Sequence, residues 1–419
     1  MIGMGQTDLG GLSVNHDVQV DTLTGRLRLS VPVLVTPGRE SFSPNLNLVC
    51  ANGSGNSTFG LGWVLSGVPS IGIDAERRLP AYDSREDRFV YAGAQELVPA
   101  CREHAGKWSA IVDLRGNYEI RRYRVKQERS FERFERWVDR TTLESHWRTI
   151  ARNGVVSVFG LVSDGTSRIN DPTDSRRVFQ WLLEAQYDPK GNAILYEYAA
   201  EDGANVDTTT SFEASRRGVG QAQRYIKRIR YGNSRPLSPS KPDDTANIWH
   251  IEVLFDYGEH GTIESPTYAT IRSWPARSDA FSSGRPGFDI RTHRLCRQIL
   301  NFHRFSELGS DPCLTGATIL HHRGDPSGAV LDSIEYRGYH KDLASGTYAS
   351  RSLPPLGLSY STTSVASAFE KAEAANNLPA GVDGSVPVDR SERRGTSRST
   401  SSQGRWLVLQ GEPRRRAVR

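Results

Sequence analysis

Before Ser364 the apolar side chains recur at every second position in short runs, and the three-and-four spacing of a helix is nearly absent. A period of two sends alternate side chains to opposite faces of an extended backbone, so each run reads as a strand with one face to bury. Val18 and Val20, then Leu27, Leu29, Val31 and Val33, flank a Thr24-Gly25 turn signal and predict a hairpin over 16–35. Leu46, Leu48 and Cys50 alternate with Asn45, Asn47 and Val49 in the next strand. Further strands are expected at 88–91, 96–98, 118–125, 147–150, 155–159, 224–231, 249–257, 331–336 and 356–360, bounded by Gly, Asn, Asp or Pro. Residues 176–183 and 194–198 read as strand, turn, strand around Asp188-Pro-Lys-Gly-Asn192, with Tyr196 and Tyr198 on one face. The fold class is therefore all-β, with many short antiparallel strands forming large packed sheets.

Two stretches are less simple. The aromatic spacing in 131–137 suits a helix, yet Phe131 and Trp137 also share a strand face, and the charges between them read as a solvated surface. Residues 284–302 predict one extended strand, with Ile290, Thr292, Arg294, Cys296 and Gln298 on one face and Asp289, Arg291, His293, Leu295, Arg297 and Ile299 on the other. Neither face is apolar, so arginine stems are expected to lie over a neighbouring sheet. This stretch looks built to pack.

The pI of 9.0 suggests nucleic acid, but the excess is local. Residues 390–419 hold nine arginines and two glutamates, a net of +7 against +5 for the whole chain, which leaves −2 for residues 1–389. A nucleic-acid reading needs a basic face on a folded domain, and that support is missing. No apolar run reaches membrane-spanning length, and the first fifteen residues lack the layout of a signal peptide. Cys50, Cys101, Cys296 and Cys313 lie far apart and read as buried or half-buried free thiols.

Motifs for chemistry are weak. Phe59-Gly-Leu-Gly-Trp63 opens no phosphate loop; its glycines let two large side chains pack under a tight backbone. His321 and His322 are adjacent, so in a strand they face opposite ways. Asp83, Glu86 and Asp87 beside Arg77, Arg78 and Arg85 read as a salt-bridged loop. Ser399-Thr400-Ser401 has only Glu412 after it and no paired E-x-E. No catalytic, cofactor-binding or metal-binding residues are assigned, no cofactor is expected, and the chain reads as no enzyme.

Phe59-Gly-Leu-Gly-Trp63, Ala94-Gln-Glu-Leu-Val-Pro99, Ser145-His-Trp147, Asp188-Pro-Lys-Gly-Asn-Ala193 with Tyr196-Glu-Tyr198, and Arg228-Ile-Arg-Tyr-Gly-Asn233 occur in that order. Phe255-Asp-Tyr-Gly-Glu-His260, residues 284–302 and Leu353-Pro-Pro-Leu356 complete the set. Together they resemble the SpvB-type N-terminal domain of the B component of insecticidal Tc toxin complexes. The resemblance implies a structural part of a hollow β-sheet shell that encloses and delivers a toxic cargo. It also implies two partners, a C component that completes the shell and a pore-forming A component, with no nucleic acid and no direct membrane insertion. Such a protein is made in the cytoplasm and acts outside the cell, exported without a signal peptide. The alternatives are a β-rich surface-binding or adhesin module, and an ADP-ribosylating toxin precursor lacking its catalytic domain.

The domain reading is a SpvB-like β domain over 1–363, a linker over 364–385 toward a missing β-propeller, and a disordered basic tail over 386–419. The resemblance fails at the tail, where arginine rises and alternation stops. Codons permitted for Val386 to Val418, shifted by one nucleotide, allow the Trp-x-Asp-Leu-x-Gly-Glu-Gly-Leu-Pro-Gly segment that family members carry next. The tail is thus expected to be out of frame and the chain a truncated remnant. Sequencing the gene from codon 380 onward tests this: propeller sequence in a shifted frame is the expected result, and unrelated sequence beyond an intact stop overturns it.

Overall fold

The computed structural model describes residues 27–360 apart from 52–54, 84–85, 129, 162–164, 219, 242–245 and 326–327, with short backbone segments at 3–4, 17–20, 401–402 and 405–406. The unit Met1–Ser361 holds both assemblies described below; Thr362–Arg419 forms a second unit, and the linker and tail expectations for 364–419 fall outside the described residues except for the backbone pairing of Ser401–Ser402 with Arg405–Trp406.

The first assembly is a closed antiparallel barrel. Ser70–Ile73, Phe89–Tyr91, Gln95–Pro99, Tyr118–Val125, Arg133–Asp139, Ser145–Ile150 and Val156–Phe159 pair in turn, and Val156–Phe159 pairs with Asp174–Tyr187. Asp174–Tyr187 returns to the start through Gln180↔Gly72, Trp181↔Ile71 and Leu182↔Ser70. Alternate residues point inward and are large. Phe89 meets Tyr123, Trp147 and Trp181 with ring centroids 5.8, 5.0 and 6.0 Å away, and Tyr91 meets Phe134 at 5.0 Å. Edge-to-face rings therefore fill the barrel.

The second assembly is a sandwich. One layer continues from Asp174–Tyr187 through Ala193–Ala200, Arg224–Asn233, Trp249–Asp256, Gln298–His303, Cys313–Asp325 and Gly328–Lys341, all antiparallel. The other layer is a four-stranded sheet in which Leu27–Pro32, Asn47–Ala51 and Trp63–Ser66 follow Asp17–Val20. Leu29, Val31, Leu48 and Trp63 of this layer share one core with Ile229, Val253, Ile299, Leu320 and Ile334 of the first. Polar ties cross the layers as well: the Leu34 amide donates to Thr318 Oγ1 at 3.0 Å, and the hydroxyls of Tyr231 and Tyr336 donate to the carbonyls of Thr36 and Pro32.

The glycines of 59–63 take φ of +108° at Gly60 and +81° at Gly62. A Cβ on Gly60 would sit 3.1 Å from the Ala329 carbonyl oxygen, so Phe59 and Trp63 reach the core only because the backbone between them lies flat on the facing hairpin.

Several expectations are corrected. Residues 284–302 do not form one strand: Ile290–Thr292 pairs with Phe281–Ser283, Gln298–His303 joins the large sheet, and 293–297 between them is irregular. The strand Arg133–Asp139 begins after Phe131, which is exposed with φ of +54°. Its charges are not simply solvated, since Glu135 is buried and accepts from Trp137 Nε1 at 3.1 Å. The polar stretch 208–220, which carries no period-two run, contains a helical turn, Ser211–Ala214, that buries Glu213. All four cysteines are free, but Cys101 is exposed.

Trp147 is fully buried among the barrel's aromatic rings, whereas Trp108, on the hairpin Cys101–His104/Lys107–Ala110, is 69% exposed. Trp147→Ala should lose about 3–5 kcal/mol of stability, and Trp108→Ala should stay within about 0.5 kcal/mol of the parent. Denaturant unfolding of the two variants measures the contrast.

Candidate functional site

Among the described residues, no group of three His, Cys, Asp or Glu side chains is placed to hold a metal ion. The unusual chemistry lies in three buried charge networks, each tying a loop to the sandwich.

The first centres on Arg294, in the irregular 293–297 segment. Its side chain is fully buried and forms an ion pair with Glu201, which is itself buried. Arg294 Nη1 also donates to the carbonyls of Ala204 at 2.8 Å and Trp274 at 3.0 Å, and the guanidinium lies over the Trp274 ring at 4.7 Å. Tyr225 donates to Glu201 Oε2 at 2.8 Å and accepts the His293 amide at 3.0 Å. Arg291 pairs with the buried Glu213, whose other oxygen is 3.3 Å from His293 Nε2. Burial alone would raise the Glu201 carboxyl, but His293 and Arg294 outweigh it and hold the group at about 2. Glu201 therefore stays ionised, and the arrangement is a lock.

The second network lies where Arg224–Asn233 runs beside Trp249–Asp256. Lys227 Nζ contacts Glu259, donates to the Phe255 carbonyl at 3.0 Å and lies 2.8 Å from His260 Nε2. Asp256 Oδ1 accepts the amides of Gly258 at 2.7 Å and His260 at 3.1 Å, and its Oδ2 accepts from Gln298 at 2.7 Å. Burial drives the Lys227 amine down and the Glu259 carboxyl up, each against the pull of the other's charge. Asp256 is held low, because burial is outweighed by the donors on it. Burial, with Lys227 adding to it, lowers His260 to about 4.

The third network joins the layers of the sandwich. Arg277 grips Asp279 with Nε and Nη2 at 2.8 and 2.7 Å and reaches the Ser57 carbonyl and Asn56 Oδ1 at 2.6 and 2.8 Å. Asp279 also accepts the Ala329 amide at 2.7 Å, and these donors hold its carboxyl below the usual range despite burial.

The smaller candidates resolve into structure. His321 lies 3.1 Å from Glu335, while His322 donates to the Phe59 carbonyl at 3.0 Å, so the two rings serve different partners. Arg78 pairs with Glu86 at 3.3 Å, and Asp87 caps the Ala81 amide at 2.9 Å. The mouth of the barrel holds a cavity of about 50 Å³ beside Asp87, Arg136 and Arg168. An apolar groove of about 540 Å³ runs between 32–35 and 336–338, with 351–353 along its side. Ser399-Thr400-Ser401 has no described side chains.

Sequence reasoning singled out Arg291, His293 and Arg294 only as packing residues, and missed Lys227 and Glu259 as a pair. The available signal was Phe255-Asp-Tyr-Gly-Glu-His260, which puts four ionisable side chains, Asp256, Tyr257, Glu259 and His260, within five residues of a strand end.

Comparison with known proteins gives a consistent picture. The family model for the Salmonella virulence plasmid 65kDa B protein, SpvB, matches residues 21–305. The Mono(ADP-ribosyl)transferase SpvB of Salmonella choleraesuis (strain SC-B67) is 32% identical over 330 residues, covering 76% of this chain and 54% of the relative. The chain thus spans about half the length of the curated relatives it matches. The N-terminal domain of effector protein SpvB from Salmonella typhimurium strain LT2 superposes with a TM-score of 0.66 at 31% identity, over 74% of this chain and 98% of that one. A chain of the TcdB2-TccC3-Cdc42 crystal structure matches with a TM-score of 0.70 at 30% identity, over 81% of this chain and 16% of that one. The Photorhabdus luminescens Tc holotoxin pore gives 0.69 at 29% identity, over 85% and 17%.

Burial lowers His146 to about 3 and His322 to about 4, and neighbouring arginines add to the effect at both. A histidine held neutral in the fold but free to protonate when unfolded supports stability above its unfolded pKa, and that support fades as pH falls. Stability should therefore decline from about pH 6.5 to 4, ahead of the further loss as pH falls from about 4.5 through the folded value of Glu201. Urea midpoints at pH 7, 5 and 3 read this out, and equal midpoints at pH 7 and 5 would contradict it.

Proposed function

The chain belongs to the family of the Salmonella virulence plasmid 65kDa B protein, SpvB, and from that premise we propose that it is a non-enzymatic structural domain of a Tc-type toxin B component. The observation that carries the reading is its coverage of 98% of a chain that is itself the N-terminal domain of SpvB. The same fold matches a 16% portion of a chain in the TcdB2-TccC3-Cdc42 structure. One β unit thus recurs in two proteins of different composition, which is how a scaffold behaves. In the proposed role the domain contributes a rigid wall to a shell that holds a toxic cargo. A C component is the shell partner and an A component the pore. The domain binds no nucleic acid, enters no membrane, and is made in the cytoplasm for use outside the cell.

The charge networks support this reading. Arg294, Glu201, Arg277 and Asp279 are spent on each other and on backbone groups, and Lys227 and Glu259 are enclosed beside Tyr257. One observation favours a second reading, a surface-binding module: all eight strand residues of the hairpin Cys101–His104/Lys107–Ala110 are exposed, Trp108 among them.

Co-expression with a Tc C component and the remainder of a B component tests the proposal. A co-eluting complex in size-exclusion chromatography, with no transfer of labelled ADP-ribose from NAD to lysate proteins, is the expected result. Label transfer by the purified chain overturns the non-enzymatic reading. Failure to assemble, with Trp108-dependent binding to a glycan array, puts the binding module ahead.

A further inference from the structure

The Lys227 network has more chemistry than a salt bridge needs, and we propose that it is a self-modification site at which Lys227 Nζ and the Glu259 side-chain carboxyl condense to an intramolecular amide. Lys227 sits on Arg224–Asn233 and Glu259 just beyond Trp249–Asp256, so the bond would staple two neighbouring strands of the large sheet.

Each requirement of the condensation has a group on the spot. The amine must be a free base, and the acceptor an uncharged acid, because an ammonium has no lone pair and a carboxylate resists attack. The surroundings favour both neutral forms: the Glu259 and His260 side chains are 5% and 2% exposed, and Tyr257 and Cys296 close the region. Burial moves the two partners in the directions needed. A base must take the amine's proton. His260 Nδ1 lies 3.2 Å from the Thr267 carbonyl and donates to it, leaving the Nε2 lone pair facing Lys227 Nζ at 2.8 Å. The acceptor must be polarised. Glu259 Oε2 accepts the Tyr257 amide at 2.9 Å, so a donor already faces the oxygen on which negative charge would develop, while Oε1 faces the amine. The charge of the nearby Asp256 carboxylate opposes a second charge on Glu259 and so favours its protonated form.

The balance closes without a co-reactant. The Nζ lone pair attacks Glu259 Cδ, and the charge passes to Oε2. His260 Nε2 removes one proton from nitrogen and delivers it to the Oε1 hydroxyl, which leaves as water. The amide keeps one N–H, already directed at the Phe255 carbonyl.

Intact-mass measurement of the purified full chain, fresh and after prolonged incubation at neutral pH, tests the proposal without a variant. The expected mass is lower than the sequence mass by one water, with a protease digest yielding a branched peptide that joins 227 to 259. A full sequence mass after incubation overturns the proposal, as does a water loss mapped elsewhere. Glu259→Gln should lose ammonia in place of water, and Lys227→Arg, which keeps a cation there, should keep its full mass. Loss of water in folded Lys227→Arg would also refute the assignment.

Discussion

The strand Asp174–Tyr187 is hydrogen-bonded along one edge to Arg168–Asp171 and Val156–Phe159, and along the other to Ser70–Ile73 and Ala193–Ala200. Its middle, 180–182, closes the barrel onto Ser70–Ile73, and its last residues, 185–187, hold a barrel strand on one edge and begin the large sheet on the other. A barrel removes free edges by joining its last strand to its first, and here the joining strand also belongs to the sandwich. Gly72, Trp181 and Leu183 sit at this junction, and Trp181 and Leu183 bury their side chains in the continuous core that runs through both assemblies. The two parts are one wall, bent.

Such a wall has few helices to cover its loops, and it fastens them with charge. Arg294 holds the 201–205 and 274 segments, and Arg277 holds 56–57 and 279. Buried ion pairs rarely beat apolar packing in net energy, because desolvation cancels much of the attraction. What they contribute here is position, since each cation has several acceptors fixed in direction. Truncating one partner would leave the others buried and unpaired, so these loops are held in a single arrangement.

The strand pattern was legible because burial on one face forces alternation. Tyr118–Val125, Ser145–Ile150 and Trp249–Asp256 lie where period-two runs put them, and Phe59 and Trp63 pack as their flanking glycines require. The family resemblance was legible as well, since the colinear motifs fall largely within the matched residues 21–305. Ring closure was not legible, because Gln180↔Gly72 joins positions more than a hundred residues apart and no local pattern encodes the partner. The break at 293–297 was missed for a related reason: alternation treats arginine as a surface residue, while Arg294 is the most deeply buried cation of its segment. Cys101 looked like a core thiol by type, yet its strand leaves the barrel wall as a ribbon.

The order of the layers along the chain has a bearing on synthesis. The strands ending at Ser66 share their core with Ile229, Val253 and Ile299 and, last to emerge, Leu320, Leu331 and Ile334. Leu34 waits 284 residues for the Thr318 hydroxyl. At roughly 5–20 residues per second, roughly 15–60 s pass before the last strands of the partner layer reach the first sheet. During that time the nascent chain carries an apolar face that the barrel, completed earlier, does not cover. Translation thus produces a finished barrel with an open sheet on its N-terminal side, and the last hairpin, Cys313–Asp325 with Gly328–Lys341, seals the domain late.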